Sequence, residues 1–225
     1  MSTESVLFSR LIAASDGDWQ TYIRHPFVLQ LASGDLPEPC FRRYLVQDYL
    51  FLIHFARAWG LAIYKSDALR EMRRAQRLVA ATLDVEIGLH IDYCRGWGLS
   101  EAAMASEPEA AATIAYTRFV LDRGVAGDRL DLEVALAPCI VGYAVIAAER
   151  INDASTRLDG NPYREWFEMY AGPEYQDLAA EAAAALDEQF ARRGGEGRFP
   201  SLAGIFAAAA RLEADFWQMG LEAQS

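Results

Sequence analysis

The stretch Leu136-Ala137-Pro138-Cys139-Ile140-Val141-Gly142-Tyr143 lies in the middle of a long apolar run, Leu130 to Ala148. Small and apolar residues recur in this run at spacings of three and four, which places them on one face of an α-helix that turns toward a protein core. The residues of that face are Leu132, Ala135, Cys139, Tyr143 and Ile146. The stretch therefore predicts an interior helix with a thiol on its inner face, one turn from a tyrosine.

Pro138 disturbs this helix next to the sulfur. Proline cannot donate a backbone hydrogen bond and clashes with the carbonyl group four residues earlier, so Pro138 is expected either to kink the helix or to begin it. If Pro138 begins the helix, Cys139 lies in the first turn, where the helix dipole favours thiolate over thiol. Cys139 would then be an activated nucleophile. Alternatively, Cys139 is a small apolar residue of the core.

The composition favours a single all-α domain over residues 1–225. Hydrophobic residues make up 52% of the chain and charged residues 24%, alanine-rich segments are frequent, and the alternating pattern of β-strands is almost absent. A chain of this length can bury one sizeable core, and neither a linker nor a change of composition divides it. Long helices are predicted at about 39–65, 67–95, 128–153 and 200–221.

Charge and cysteine content narrow the partners and the compartment. The formal net charge of −11 argues against binding to nucleic-acid phosphates or to anionic membranes. Cys40, Cys94 and Cys139 form no CxxC or CxxH motif, so neither a disulfide framework nor a zinc site is indicated. No segment approaches a membrane span, and the N-terminal residues lack the pattern of a secretion signal. These features predict a location in the reducing cytoplasm.

Two carboxylates interrupt apolar helix faces. Asp48 lies one turn after Tyr44 and one turn before Phe51, and Glu213 repeats the pattern on the last long helix. Burial of an unpaired carboxylate costs free energy, so each must find a partner. For Asp48 this partner is a ligand, an arginine, backbone donors or simply the Tyr44 hydroxyl. Together with Cys139, the two carboxylates favour a polar pocket inside a helical bundle.

Glu86 and His90 stand four residues apart on the second long helix, a spacing that metal ligands can use. Metal sites in helical bundles take a Glu-x-x-His motif from each of two helices and further glutamates. No second copy of such a motif is visible in the sequence. We therefore expect no metal site, and a metal-dependent oxygenase is disfavoured.

Several motifs, taken in their order and spacing, resemble those of the TenA family, also known as the thiaminase II or aminopyrimidine aminohydrolase family. The resemblance spans nearly the whole chain and implies a heme-oxygenase-like α-helical bundle. It rests on His25-Pro26-Phe27, on Phe41-Arg42-Arg43-Tyr44-Leu45-Val46-Gln47-Asp48-Tyr49-Leu50-Phe51-Leu52, on Ala115-Tyr116-Thr117, on Pro138-Cys139 with Tyr143, on Tyr170 near a glycine, and on Glu213-Ala214-Asp215-Phe216-Trp217.

The resemblance implies roles for individual residues. Cys139 matches the nucleophile of the cysteine-containing branch of the family, Glu213 its catalytic acid/base, and Asp48 the carboxylate that holds the aminopyrimidine. One position differs from the family pattern, because Phe51 stands where the family often has a tyrosine. An aromatic face is kept and a hydroxyl is lost there, so turnover or substrate preference could differ. The other matches to pocket residues are Tyr116, Tyr143, Tyr170 and Phe216.

The resemblance further implies hydrolysis of 4-amino-5-aminomethyl-2-methylpyrimidine, and of thiamin, to 4-amino-5-hydroxymethyl-2-methylpyrimidine in thiamin salvage or degradation. It implies no metal and no organic cofactor, a small aminopyrimidine as the binding partner, and a homotetramer. Two alternatives stay open. One is a divergent member that binds or hydrolyses another pyrimidine-like molecule. The other is a transcriptional regulator, against which the negative charge and the lack of a basic helix-turn-helix weigh.

Overall fold

A computed structural model describes residues 5–224 of the chain, and within these residues there is no β-strand. The predicted all-α class is therefore confirmed. The predicted domain limits include residues 1–4 and 225, which lie outside the described part, and the extent of the domain stays a prediction. The α-helices are α1 (Val6–Ala14), α2 (Asp16–Ile23), α3 (Pro26–Ser33), α4 (Glu38–Tyr64), α5 (Leu69–Ala80), α6 (Ile87–Gly96), α7 (Glu101–Ser106), α8 (Ala111–Ala126), α9 (Arg129–Ala137), α10 (Tyr143–Ile151), α11 (Arg164–Ala171), α12 (Pro173–Arg193) and α13 (Phe199–Leu221). Two π-helical segments, Ala81–Glu86 and Pro138–Gly142, and a 3₁₀ turn, Glu222–Gln224, complete the set.

The central helix of the bundle is continuous from Arg129 to Ile151 and contains α9, the second π segment and α10. Asp128 caps its N-terminus, because its carboxylate accepts from the backbone N–H groups of Leu130 and Asp131 at 2.9 and 3.2 Å. The helix packs against α8, α12 and α13. The predicted helix at 128–153 is confirmed, with ends shifted by one or two residues.

This central helix also corrects one prediction. It is long and apolar enough to cross a membrane, with a mean hydropathy of 1.8, so the expectation that no segment approaches a membrane span is wrong. However, 83% of its most apolar window is buried inside the protein. A helix that is surrounded by other helices is apolar on all sides because every side faces the core. The apolar run is therefore that of a core helix.

Pro138 lies inside the central helix, where it starts the five-residue π segment. Proline removes one backbone hydrogen bond from a helix, and a wider π turn places carbonyl groups where side chains can reach them. The Tyr22 hydroxyl of α2 donates to the Pro138 carbonyl oxygen at 3.0 Å. The Tyr175 hydroxyl of α12 lies 3.5 and 3.3 Å from the carbonyl oxygens of Cys139 and Ile140. Side chains of two neighbouring helices thus hold the disturbed turn.

Gly142, the last residue of this π segment, permits the close approach of Tyr22. A Cβ atom at position 142 would lie only 2.7 Å from the Cε1 and Oη atoms of Tyr22. The Tyr22 ring in turn stacks on Trp217 of α13, with ring centroids 6.3 Å apart. The lack of a side chain at Gly142 therefore lets α2 and α13 meet the central helix at the π segment.

Helices α4, α8 and α13 carry chemically useful side chains on their buried faces. Helix α4 packs against α6, α8 and α13, and it carries Asp48 and Phe51 on its buried face. Helix α8 carries Tyr116, and α13 carries Glu213 and Phe216. The bundle thus brings side chains that are distant in sequence to the surroundings of Cys139.

Candidate active site

Cys139 is the second residue of the π segment and is half-buried against the core. Burial raises the pKa of its thiol well above the ordinary value, and the charges of Glu213, Glu86 and Asp48 raise this pKa further. The thiol is therefore protonated at neutral pH. Of the two alternatives for Pro138, the structure shows the one in which it disturbs the interior of the helix, so Cys139 is not in a first turn and the helix dipole does not favour its thiolate.

Glu213 of α13 lies in the interior and is 1% exposed. Its Oε1 atom accepts a hydrogen bond of 2.9 Å from the Tyr116 hydroxyl of α8. Burial raises the pKa of the Glu213 carboxyl well above its ordinary value. The hydrogen bond from Tyr116 opposes this rise, whereas the charges of Asp48 and Glu86 add to it. Burial thus favours the protonated form of the Glu213 carboxyl group, which can donate a proton.

Asp48 is bound by two side chains at the same oxygen. Its Oδ2 atom accepts from the Tyr44 hydroxyl at 3.1 Å and lies 2.7 Å from Nε2 of His90. The Nδ1 atom of His90 lies 2.7 Å from the backbone carbonyl oxygen of Glu86, which can only accept, so Nδ1 carries a proton. Burial lowers the pKa of His90, but the hydrogen bond and charge of Asp48 outweigh burial and raise it. The raised pKa favours the imidazolium form of His90, and Oδ1 of Asp48 is left to accept from a ligand.

Glu86 and His90 have separate hydrogen-bond partners. The Glu86 carboxylate accepts from the Tyr170 hydroxyl at 2.7 Å, whereas His90 is engaged through both ring nitrogens. Within residues 5–224, no three His, Cys, Asp or Glu side chains are grouped so that they could hold a metal ion. Burial raises the pKa of Glu86 to about 7, with a further contribution from the charge of Asp48. Near neutral pH this carboxyl group is thus divided between its two protonation states.

Aromatic rings enclose the polar groups. The ring centroid of Phe51 lies 4.9 Å from that of Tyr116 and 5.7 Å from that of Phe216. The ring centroids of Tyr143 and Tyr170 lie 5.0 Å apart. All five side chains are at least 96% buried. Such walls exclude water and present faces on which a flat heteroaromatic ring can stack.

The structure brings together all the site residues predicted from the sequence. Their connections are the Tyr116–Glu213 hydrogen bond, the ring contacts of Phe51 and Tyr143, and the charges of Asp48 and Glu213 near the Cys139 thiol. We call this set, Cys139, Glu213, Asp48, Phe51, Tyr116, Tyr143, Tyr170 and Phe216, the central cluster.

Four further residues were not predicted as part of the site. Two of them, Glu86 and His90, stand four residues apart in the sequence, and this spacing suggested only a pair of metal ligands. In the structure, His90 instead contacts Asp48, and Glu86 accepts a hydrogen bond from Tyr170. Tyr22 and Tyr175 bind backbone carbonyl groups of the π segment. No sequence pattern marks such a role, because any backbone carbonyl can accept.

A cavity of about 400 Å³ adjoins the central cluster. Its wall includes Ile140, which follows Cys139 in the chain, and Glu86, which is bonded to Tyr170. The remaining wall comes mainly from the first π segment and from the junction of α11 and α12. No residue of the central cluster itself lines this cavity.

Comparison with known proteins identifies the relatives of this chain. Residues 13–223 match the model of the TENA/THI-4/PQQC family. An uncharacterized protein of Haemophilus influenzae is 41% identical over 219 residues, covering 96% of this chain and 99% of that protein. An aminopyrimidine aminohydrolase of Halalkalibacterium halodurans is 34% identical over 201 residues, covering 89% of each chain.

Solved structures give the same picture of the fold. The crystal structure of a TenA family transcription regulator from Silicibacter sp. TM1040 has a TM-score of 0.90 at 41% identity and covers 96% of each chain. A domain with a heme oxygenase-like fold from Shewanella denitrificans OS217 has a TM-score of 0.70 at 14% identity, covering 96% of this chain and 92% of that one. The predicted heme-oxygenase-like bundle is therefore confirmed.

Proposed function

Because this chain belongs to the TENA/THI-4/PQQC family, we propose that it hydrolyses 4-amino-5-aminomethyl-2-methylpyrimidine and thiamin to 4-amino-5-hydroxymethyl-2-methylpyrimidine, with Cys139 as the nucleophile. The observation that carries the proposal is the buried Glu213 carboxyl group, which is bonded to Tyr116 and acts electrostatically on the Cys139 thiol. The 34% identical aminopyrimidine aminohydrolase supports a hydrolytic reaction on an aminopyrimidine.

The first step adds the thiol to the pyrimidine ring. Burial raises the pKa values of Cys139 and Glu213 and so favours the protonated form of both groups before the reaction. Glu213 donates its proton to a ring nitrogen and then accepts the thiol proton as sulfur bonds to the neighbouring ring carbon. In net terms, S–H adds across one C=N bond of the ring. The nucleophile therefore does not need to exist as a free thiolate, which the negative surroundings disfavour.

Addition of sulfur makes the leaving group labile. The ring becomes an electron-rich enamine, and it expels the group on the methylene carbon as the C–N bond breaks with its electron pair going to the leaving nitrogen. Water then bonds to the methylene carbon through oxygen and releases a proton. The S–C bond finally breaks, its electron pair returns to sulfur, and Cys139 regains a proton while the aromatic ring is restored.

Asp48 and the aromatic side chains fix the ring during these steps. The free Oδ1 atom of Asp48 accepts from the exocyclic amino group, while His90 and Tyr44 hold the other oxygen. Phe51 and Phe216 stack near the ring and exclude water. A ring held in this way keeps the carbon that is attacked above the sulfur. Every step uses groups of the chain and water.

One alternative function has an observation in its favour. Phe51 brings no hydroxyl group to the space between Tyr116 and Phe216, so a divergent member that binds or hydrolyses another pyrimidine-like molecule is the second candidate. Regulation of transcription, which the name of the Silicibacter protein carries, is less favoured because the net charge of −11 opposes contact with DNA phosphates. We expect a cytoplasmic homotetramer in either case.

The deciding experiment compares the wild-type protein with Cys139→Ala on both substrates, with product formation measured by mass spectrometry. We expect the variant to lose at least about a thousandfold in turnover, since the covalent step is removed, while circular dichroism is unchanged. Calorimetry should still detect binding of the hydroxymethylpyrimidine product.

Cys40→Ala is the matched control, because Cys40 is a buried cysteine of α4 whose sulfur contacts the Leu221 carbonyl rather than the central cluster. It should keep wild-type turnover. Absence of hydrolysis by folded wild-type protein, or equal activity of Cys139→Ala and wild type, would contradict the proposal.

A further inference from the structure

One proton of the proposed reaction has to leave the central cluster. When the oxygen of water bonds to the methylene carbon, one O–H bond of the water breaks, and its proton needs an acceptor. Glu213 exchanges a proton between the ring nitrogen and the sulfur, so over a full turnover it takes up none. The Asp48 carboxylate accepts from Tyr44 and contacts His90 at the same oxygen. A further group is therefore needed to accept the proton of the water and pass it to solvent.

Exposure distinguishes the carboxyl groups around the thiol. Those of Glu213, Glu86 and Asp48 act electrostatically on Cys139. Glu213 is 1% exposed and Asp48 is 4% exposed, whereas Glu86 is partly exposed and lines the cavity of about 400 Å³. This cavity opens at the protein surface, where Val85 of its wall is 57% exposed. Of the three, Glu86 is thus the group from which a proton can pass to solvent.

Tyr170 connects Glu86 to the central cluster. Its hydroxyl donates to Oε1 of Glu86 at 2.7 Å, and its side chain is fully buried. Its ring centroid lies 5.0 Å from that of Tyr143. A hydroxyl group can donate one proton while it accepts another, so it can pass a proton on without a net change of charge. Oε2 of Glu86 makes no hydrogen bond to any residue within 5–224, which leaves it available to water.

Groups from several helices set the protonation of Glu86. Burial and the charge of Asp48 raise the pKa of Glu86, the charge of His90 and the hydrogen bond from Tyr170 lower it, and the result is about 7. Further titratable groups that face it are Tyr44, Cys139, Tyr175 and Glu213, together with Glu168 and Glu174 of the cavity wall. Near neutral pH, Glu86 is therefore able both to take up a proton and to release it.

We propose that Glu86, acting through the Tyr170 hydroxyl, accepts the proton that the attacking water loses and passes it to solvent in the cavity. The inference rests on the proposed function. A lone pair of the water forms the C–O bond, and the electrons of the broken O–H bond stay on that oxygen. The proton moves to Oη of Tyr170 as the proton of Tyr170 moves to Oε1 of Glu86. Glu86 then gives a proton to water in the cavity and returns to the carboxylate.

The test compares pH profiles of kcat on 4-amino-5-aminomethyl-2-methylpyrimidine. Because the carboxylate form of Glu86 accepts the proton, wild-type kcat should rise as the pH increases through about 7. In Glu86→Gln the amide oxygen still accepts from Tyr170 but takes up no proton. We expect this acidic limb to disappear, kcat to fall about a hundredfold and KM to stay within about threefold of wild type. Tyr170→Phe breaks the connection and should lose the same limb.

Glu168→Gln is the matched control, because Glu168 lines the same cavity and is bonded to Arg164 at 2.6 Å rather than to the central cluster. It should keep the wild-type profile. Glu86→Ala adds a second readout, since it makes room for a small carboxylate beside the Tyr170 hydroxyl. Added formate should raise kcat of this variant at least about tenfold and leave the wild type unchanged. A purely structural role of Glu86 predicts no such rescue.

Persistence of the acidic limb in folded Glu86→Gln or in folded Tyr170→Phe would overturn the inference, and so would an equal loss of kcat in Glu168→Gln. Hydrolysis by the wild type would uphold the proposed function in each of these cases. Absence of hydrolysis by folded wild-type protein would overturn the proposed function and the inference together.

Discussion

The Nε2 atom of His90 lies 2.7 Å from Oδ2 of Asp48, and this contact joins α6 to α4 across 42 residues of sequence. Because Nδ1 of His90 is fixed by the Glu86 carbonyl group, the imidazolium has one orientation. The carboxylate of Asp48 is thereby aimed before any ligand arrives. His90 is a positioning residue that acts on substrate through Asp48.

Removal of the histidine should weaken substrate binding more than it slows the chemical step. In His90→Gln, one amide donor can still reach Asp48, but the second tether is lost, so we expect KM for the aminomethyl substrate to rise about tenfold and kcat to change less. His90→Ala leaves a buried carboxylate with only the Tyr44 donor and should show the larger rise. Steady-state kinetics separate the two constants. A fall in kcat at unchanged KM would show that His90 does not act by positioning.

Glu213→Gln should abolish proton transfer while it preserves binding. The amide oxygen still accepts from Tyr116, but the group has no acidic proton, so we expect kcat to fall by about 10²- to 10⁴-fold. Product binding, measured by calorimetry, should stay within about threefold of wild type.

The pH dependence of the wild type follows from the same group. Burial raises the pKa of Glu213, and the reactive form is the protonated one. Activity is therefore present below this raised pKa and is lost as the pH rises through it. In a pH profile of kcat/KM, the alkaline limb should disappear in Glu213→Gln. Persistence of the same limb in the variant would assign it to another residue.

Phe51→Tyr adds a hydroxyl group next to Tyr116 and Phe216 without removing an aromatic face. A single added hydrogen bond to the reacting sulfur or to the ring is worth about 1 kcal/mol, so we expect kcat to rise about fivefold. Phe51→Leu is the comparison, because it removes the stacking surface and should raise KM. A lower kcat in Phe51→Tyr would contradict this expectation and would mean that the site has no room for the added hydroxyl group.

Gly142→Ala should destabilise the protein, because its Cβ would lie 2.7 Å from the Tyr22 ring. Overpacking of this kind costs about 1–3 kcal/mol in the free energy of unfolding, which urea titration measures. Gly204→Ala in α13 is the matched control, since its Cβ meets no atom within 4 Å, and it should stabilise the helix by about 0.5–1 kcal/mol. If both substitutions changed the free energy of unfolding equally, the close contact with Tyr22 would not be the cause of the destabilisation.

Helical periodicity was sufficient to place Cys139, Asp48 and Glu213 on buried faces, because a carboxylate or a thiol on an apolar stripe can be recognised within one helix. The family resemblance added the roles and the pocket tyrosines. The long helix predicted at 39–65 is α4, Glu38–Tyr64, with a shift of one residue at each end.

Other features depend on contacts between helices, so the pattern within any single helix could not predict them. His90 was assigned no partner, because the register that turns it toward Asp48 is set by the π segment at Ala81–Glu86, which divides the predicted helix at 67–95. The state of the Cys139 thiol was predicted from Pro138 alone, yet it is decided by burial and by carboxylates from other elements. Burial and charge at a residue are properties of the assembled bundle.

A π turn is equivalent to one residue more than a regular α-helix would use over the same length. Each residue of an α-helix turns the chain by about 100°, so α10 is rotated by that amount relative to a regular continuation of α9. Deletion of a single residue from the segment Pro138–Gly142 would restore a regular helix and swing Tyr143 away from Tyr170. For anyone redesigning this protein, the number of residues between Asp128 and Tyr143 is thus as much a determinant of the site as their identities.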